Sequence, residues 1–126
     1  MDNITHFEIP VINPERATEF YSSIFGWKIT KWQGNIPYWT VTTVETDENM
    51  MPIKPGAING GLILKKDNRE PVVVINVESI DEKIETVKEM GGDIIMEKRS
   101  IGDMGFYARI IDSEGNVIGL WENKKK

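Results

Sequence analysis

His6 is the single histidine of this chain, and Glu8 follows it by two residues. In an extended segment side chains alternate between faces, so the imidazole and the carboxylate project to the same side. Such a pair can serve as a base with its orienting acid, or as the nucleus of a cation site. His6 and Glu8 are therefore the candidate catalytic residues. A catalytic zinc site generally takes three protein ligands, and with one histidine and no cysteine only Asp or Glu could complete it here. Magnesium or calcium would then be the better guest. No metal site is assigned on these grounds, and no cofactor is expected. The lack of cysteine also excludes disulfides, a thiol nucleophile and iron–sulfur clusters. Nothing in the spacing around His6 supports a serine triad. The glycine pairs Gly60-Gly61 and Gly91-Gly92 interrupt a strand or follow a helix, whereas a phosphate loop links a strand to a helix.

Aromatic side chains are the better evidence for a binding surface. Tyr38 and Trp39 are adjacent in an extended segment and take opposite faces, so one or the other could wall a ligand site; Trp121 is a second candidate wall. Trp27, just past a helix stop, reads as core. Arg109 is the one cation inside an expected strand, and could clamp a carboxylate or phosphate. Simple pairing across the 113–116 turn sets it opposite Leu120 rather than Gly119, on the face away from Trp121, unless a bulge shifts the register.

These residues sit in a chain written twice. An extended segment, Phe7–Val11, leads through Asn13-Pro14 into a helical pattern (Ala17, Phe20, Tyr21, Ile24) that Gly26 ends. About half the chain later Val72–Val77 leads through Ser79 into Ile80, Ile84 and Val87, which Gly91-Gly92 ends. Asn13 and Ser79 are suited to cap their helices, and Glu82 completes a capping box with Ser79. Tyr38–Val44, Ala57–Leu64, Ile94–Glu97, Phe106–Ile111 and Val117–Trp121 read as strands, and Asp112–Asn116 as the turn between the last two. With the further extended run that follows Gly26-Trp27, each half is thus strand, helix, three strands. The chain reads as one domain over residues 1–126, with a first module over about 1–65, a charged link at Lys65–Glu70, and a second module over about 71–123. Two such modules side by side would turn their helices outward and leave a cleft for a ligand. A swap of halves between chains would bury the same faces, so a homodimer is an expected form.

At 126 residues, 40% hydrophobic and 28% charged, the composition is that of an ordinary globular protein. A net charge of −5 argues against nucleic acid, because phosphate recognition needs a basic surface. No apolar run approaches a membrane span and the start of the chain has no export pattern, so no membrane partner is expected and the cytoplasm is the expected compartment.

Several segments, in order, resemble the vicinal oxygen chelate superfamily, which includes glyoxalase I, bleomycin-resistance proteins and extradiol dioxygenases. They are His6-Phe7-Glu8-Ile9-Pro10, Pro14-Glu15-Arg16-Ala17, Phe20-Tyr21, Phe25-Gly26-Trp27, Gly60-Gly61, Gly91-Gly92, Ala108–Asn116 and Ile118–Glu122. The chain is most similar to a branch described as related to lactoylglutathione lyase. The resemblance implies an α+β fold of two paired βαβββ modules, a half-open, eight-stranded, barrel-like sheet with helices on its outer face. It also implies four inward positions that hold a divalent cation in metal-using members. These fall on His6, near Gly60 or Gly61, near Val72 and near Gly119, and of them only His6 can ligate. Trp121 shares a strand face with Gly119, so loss of a ligand beside an indole would turn a polar floor into an apolar one. The reading that follows is a protein that binds a small organic molecule through Tyr38 or Trp39, Arg109, Gly119 and Trp121, without the family's usual metal. The alternative is a lyase or isomerase dependent on His6 or on a metal. A third class, an interaction module, would need neither His6 nor a cavity.

Overall fold

The computed structural model describes residues 1–66 and 70–125, so residues 67–69 of the expected link lie outside the described residues. Among the described residues eight strands and two helices run in the order β1 (Asn3–Val11), α1 (Pro14–Phe25), β2 (Lys28–Lys31), β3 (Tyr38–Thr42), β4 (Asn59–Leu64), β5 (Val72–Asn76), α2 (Ile80–Glu89), β6 (Asp93–Ile101), β7 (Gly105–Ile111) and β8 (Val117–Asn123). The fold is α+β, and βαβββ occurs twice. Two compact units emerge: His6–Pro71, and Val72–Lys126 together with Met1–Thr5.

In the unit His6–Pro71, the Asn13 side chain accepts the Arg16 N–H at 3.0 Å, Pro14 opens α1, and Gly26 closes it in the left-handed region at φ 73°. The sheet order is β2-β3-β4-β1, with β1 parallel to β4 and the other pairs antiparallel. Gly60 and Gly61 do not interrupt β4; both pair in register, with Phe7 and Glu8 of β1. Val11, Val41 and Leu62 form the core, joined by Phe7, Ile9, Ala17, Trp27, Ile29 and Trp39. Tyr21 of α1 stacks on Trp27 with centroids 5.0 Å apart. α1 buries no residue completely, and Phe20, Ile24 and Phe25 stay exposed.

In the other unit the order is β5-β8-β7-β6, with β5 parallel to β8. Val77, Ile80, Ala108, Ile110 and Leu120 form its core, with Ile84 and Val87 of α2 packed on it. Two groups hold the start of α2. The Ser79 hydroxyl accepts the Glu82 N–H at 3.2 Å, and Glu122 of β8 accepts the Ile80 N–H at 2.8 Å. A carboxylate at a helix N-terminus satisfies an orphan donor and meets the positive end of the dipole. Glu122 thereby seats α2 on its own sheet. Among the described residues no helix is long and apolar enough to cross a membrane.

Candidate functional site

In the unit His6–Pro71 the register assembles one polar face. His6 pairs with Asn59, Glu8 with Gly61, Thr40 with Gly61 and Tyr38 with Ile63. Alternation puts His6, Glu8, Tyr38, Thr40 and Gly61 opposite the face that carries Val11, Val41 and Leu62. His6 Nε2 lies 2.7 Å from Tyr38 Oη, within a hydrogen bond. Room for that phenol comes from Gly61, where an added methyl group would fall on the Tyr38 hydroxyl. Trp32, to which the sequence assigned no role, meets the Tyr38 ring edge-on, centroids 6.3 Å apart and planes at 82°. Glu8 is 7% exposed and is the buried charged residue among the described residues.

Burial lowers the His6 pKa below its ordinary 6.5, and the Glu8 charge opposes this in part. Burial, and then Glu8, push the Tyr38 phenol above its usual range. Near neutral pH the pair is therefore an uncharged imidazole beside an uncharged phenol. Of the two aromatic wall candidates, Tyr38 joins His6 and Glu8, while Trp39 packs with the Val11–Val41–Leu62 core on the other face.

In the second unit Arg109 pairs with Gly119, not with Leu120, and Tyr107 with Trp121. The reason is the connection. Asp112 and Asn116 bond to each other, the Asp112 N–H donating to the Asn116 carbonyl at 2.9 Å, which leaves Ile111 paired with Val117. The Asp112 carboxylate also accepts the backbone N–H groups of Glu114 and Asn116, each at 2.8 Å. Pairing closes one residue earlier than a minimal turn would give, and no bulge in β7 or β8 is required. Arg109, Tyr107, Gly119 and Trp121 consequently share the face away from Ala108, Ile110 and Leu120. Arg109 Nε donates to Tyr107 Oη at 2.9 Å. A methyl group on Gly119 would lie 2.7 Å from that same hydroxyl. Trp121 Nε1 donates to Asn123 Oδ1 at 2.8 Å. Tyr107 was missed in the sequence; only the strand register shows that Tyr38 and Tyr107 occupy matching places relative to Gly61 and Gly119.

The cation that the resemblance implies can be tested against the donors present. Among the described residues no three His, Cys, Asp or Glu side chains gather in a way that could hold a metal ion. Gly61 and Gly119 offer no donor, and a phenol fills the space above each. Val72 is buried and apolar. His6 Nε2 already bonds Tyr38. This donor set does not fit a family-type cation.

A hollow lies elsewhere, an open groove of about 540 Å³ between α1 and the strands β2 and β3, lined by Glu15, Glu19, Ser22, Ile29, Lys31 and Trp39. It lacks a histidine and a close polar constellation. The His6 face, with its buried carboxylate and perturbed groups, is the stronger candidate.

Doubled βαβββ units, each with a helix on one sheet face and polar groups on the other, define a paired-module class of protein. Residues 3–120 match the Glyoxalase/Bleomycin resistance protein/Dioxygenase superfamily. The chain belongs to that superfamily. It is 30% identical over 119 residues to a "Glyoxylase-like domain-containing protein" of Didymella fabae, covering 93% of this chain and 91% of that one. It is 26% identical over 121 residues to "Putative glyoxylase CFP32" of Mycobacterium bovis, covering 91% of this chain but only 43% of that protein's length. Among solved structures, a methylmalonyl-CoA epimerase from Mycobacterium tuberculosis superposes with a TM-score of 0.63 at 19% identity, over 96% of this chain and 87% of that one. At that identity the likeness shows the fold alone.

Proposed function

We propose that this superfamily member binds a small organic molecule on the strand face of the unit His6–Pro71 that is turned away from α1, without a family-type metal ion. The observation that carries the reading is the His6–Tyr38 hydrogen bond of 2.7 Å beside buried Glu8, over a glycine. A buried constellation of perturbed polar groups flanked by aromatic rings is a setting in which small molecules are recognised. Trp32 is the flanking ring in this unit; by itself, the second unit presents Arg109 and Trp121 on the strand face away from its own core. Solved methylmalonyl-CoA epimerases of this fold hold 2-nitronate-propionyl-CoA or methylmalonyl-CoA, which supports a small organic ligand without naming one here.

Tryptophan fluorescence against a panel of small metabolites, with chelator present throughout, tests this reading. Saturable quenching that His6→Ala weakens supports it. A flat response across the panel contradicts it.

A second reading is favoured by Glu8 itself. A buried carboxylate beside a neutral imidazole is an acid–base pair, and lyase or isomerase chemistry through His6 and Glu8 would use it. Exchange of a ligand C–H for deuterium, lost in Glu8→Gln, would mark that activity. The exposed Phe20, Ile24 and Phe25 of α1 support a homodimer, which light scattering checks.

A further inference from the structure

Tyr38 and Tyr107 carry the same device in two units of unlike sequence. Tyr38 pairs with Ile63, and its hydroxyl reaches diagonally over Gly61, two residues back along β4. Tyr107 pairs with Trp121, and its hydroxyl reaches diagonally over Gly119, two residues back along β8. Each phenol oxygen then meets a nitrogenous side chain, His6 in one unit and Arg109 in the other. Diagonal neighbours on one face of an antiparallel pair are within reach of an aromatic side chain. A glycine is what lets the ring lie down across the strand.

We propose that Tyr38 contacts the ligand directly, standing where a cation would otherwise act, and that its hydroxyl takes an uncharged carbonyl oxygen. The proposal rests on the reading that this face holds a small organic molecule, and it names the chemistry of the group recognised. A metal ion polarises a carbonyl by drawing on its lone pairs, and a phenol O–H does the same by hydrogen bonding, more weakly. With the hydrogen on Nε2, His6 donates to the phenol oxygen and leaves the phenol O–H for the ligand. A phenol keeps its proton across neutral pH, so the donor persists there. The hydrogen-bonded His6–Tyr38 pair is uncharged and gives a carboxylate no opposite charge to meet, whereas a ketone, ester or amide oxygen needs only the phenol O–H. His6 Nε2, bonded to the phenol, is not offered to a cation.

The test uses two-dimensional amide NMR on the full chain, with aryl ketones and their matched carboxylates as probes; acetophenone and benzoate are the first pair. Acetophenone is expected to move the Asn59 and Gly61 amides, benzoate to move them less, and Tyr38→Phe to weaken acetophenone roughly fivefold to tenfold. Zinc ion alone is expected to leave both amides in place. If ketones bind this face but Tyr38→Phe binds them equally, or if benzoate binds better, the inference falls and the functional reading survives. If zinc binds tightly at His6, the inference falls as well. If no probe in a broad fragment library reaches this face, both fall together. Tyr38→Phe keeps the ring, and its unfolding curve shows whether it is folded.

Discussion

Tyr38 and Gly61 lie on neighbouring antiparallel strands, and the phenol fills the volume that a side chain at position 61 would need. That exchange of space, one residue's ring for another's missing Cβ, defines the polar face of the first unit.

Gly61→Ala should therefore be costly. The new methyl group would displace the Tyr38 hydroxyl, and overpacking of this kind costs about 1–3 kcal/mol. In Gly61→Ala/Tyr38→Ala the ring is gone and the clash with it, so the double variant should be less destabilised than the sum of the two single changes. Urea unfolding of the four proteins in the cycle checks it; strict additivity would mean that the two residues do not share space.

His6 should make stability depend on pH. Its folded pKa lies below the ordinary 6.5, so the unfolded chain takes up the proton first as pH falls. Its contribution is constant above the unfolded value, declines between that value and the lower folded one, and changes no further below. Thermal unfolding at about pH 7.5 and about pH 5.5 should show a smaller loss in His6→Gln than in the parent chain. Equal losses would show that His6 is not held neutral.

Glu122 should matter more than an ordinary surface carboxylate. Its bond to the Ile80 N–H caps α2, and Lys98 sits 3.9 Å from it. Glu122→Ala should cost about 1–2 kcal/mol by the loss of a charged helix cap, read from chemical denaturation. Fraying should appear first in the amides of the opening turn of α2.

Asp112 should hold the β7–β8 register. Bonds from Asn116 and Glu114 keep its carboxyl below the usual range, so its contribution is present above the unfolded pKa and is lost as pH falls through the folded one. Asp112→Ala should lower the melting temperature and weaken cross-strand contacts between Arg109 and Gly119. Unchanged contacts would show that the register is set elsewhere.

The halves and their helices were legible because caps and stops are local chemistry: Asn13, Ser79 and Gly26 act on groups three or four residues away. The shared face of His6 and Glu8 was legible for the same reason, since it needs only the alternation of one strand. What pairs with that face was not. Tyr38 against Trp39 is decided by the β3–β4 register, a non-local fact, and Arg109 by the bonding with which Asp112 closes its connection, a detail that residue spacing does not show. Tyr107 escaped notice because its place over Gly119 follows from a register that spacing alone did not supply, and Trp32 because its edge-on contact with Tyr38 spans an irregular connection that no periodicity marks. The order of segments identified the superfamily, yet the residues at its ligand positions carry a chemistry of their own.

The most direct measurement is a crystal structure of the full chain grown with a ligand found by fluorescence, in the presence of chelator. The account predicts an organic molecule against His6, Glu8 and Tyr38, with an oxygen of the ligand in hydrogen-bond reach of the Tyr38 hydroxyl. A ligand seated in the groove between α1 and β2, or one held only through an added cation bound to His6, would contradict it.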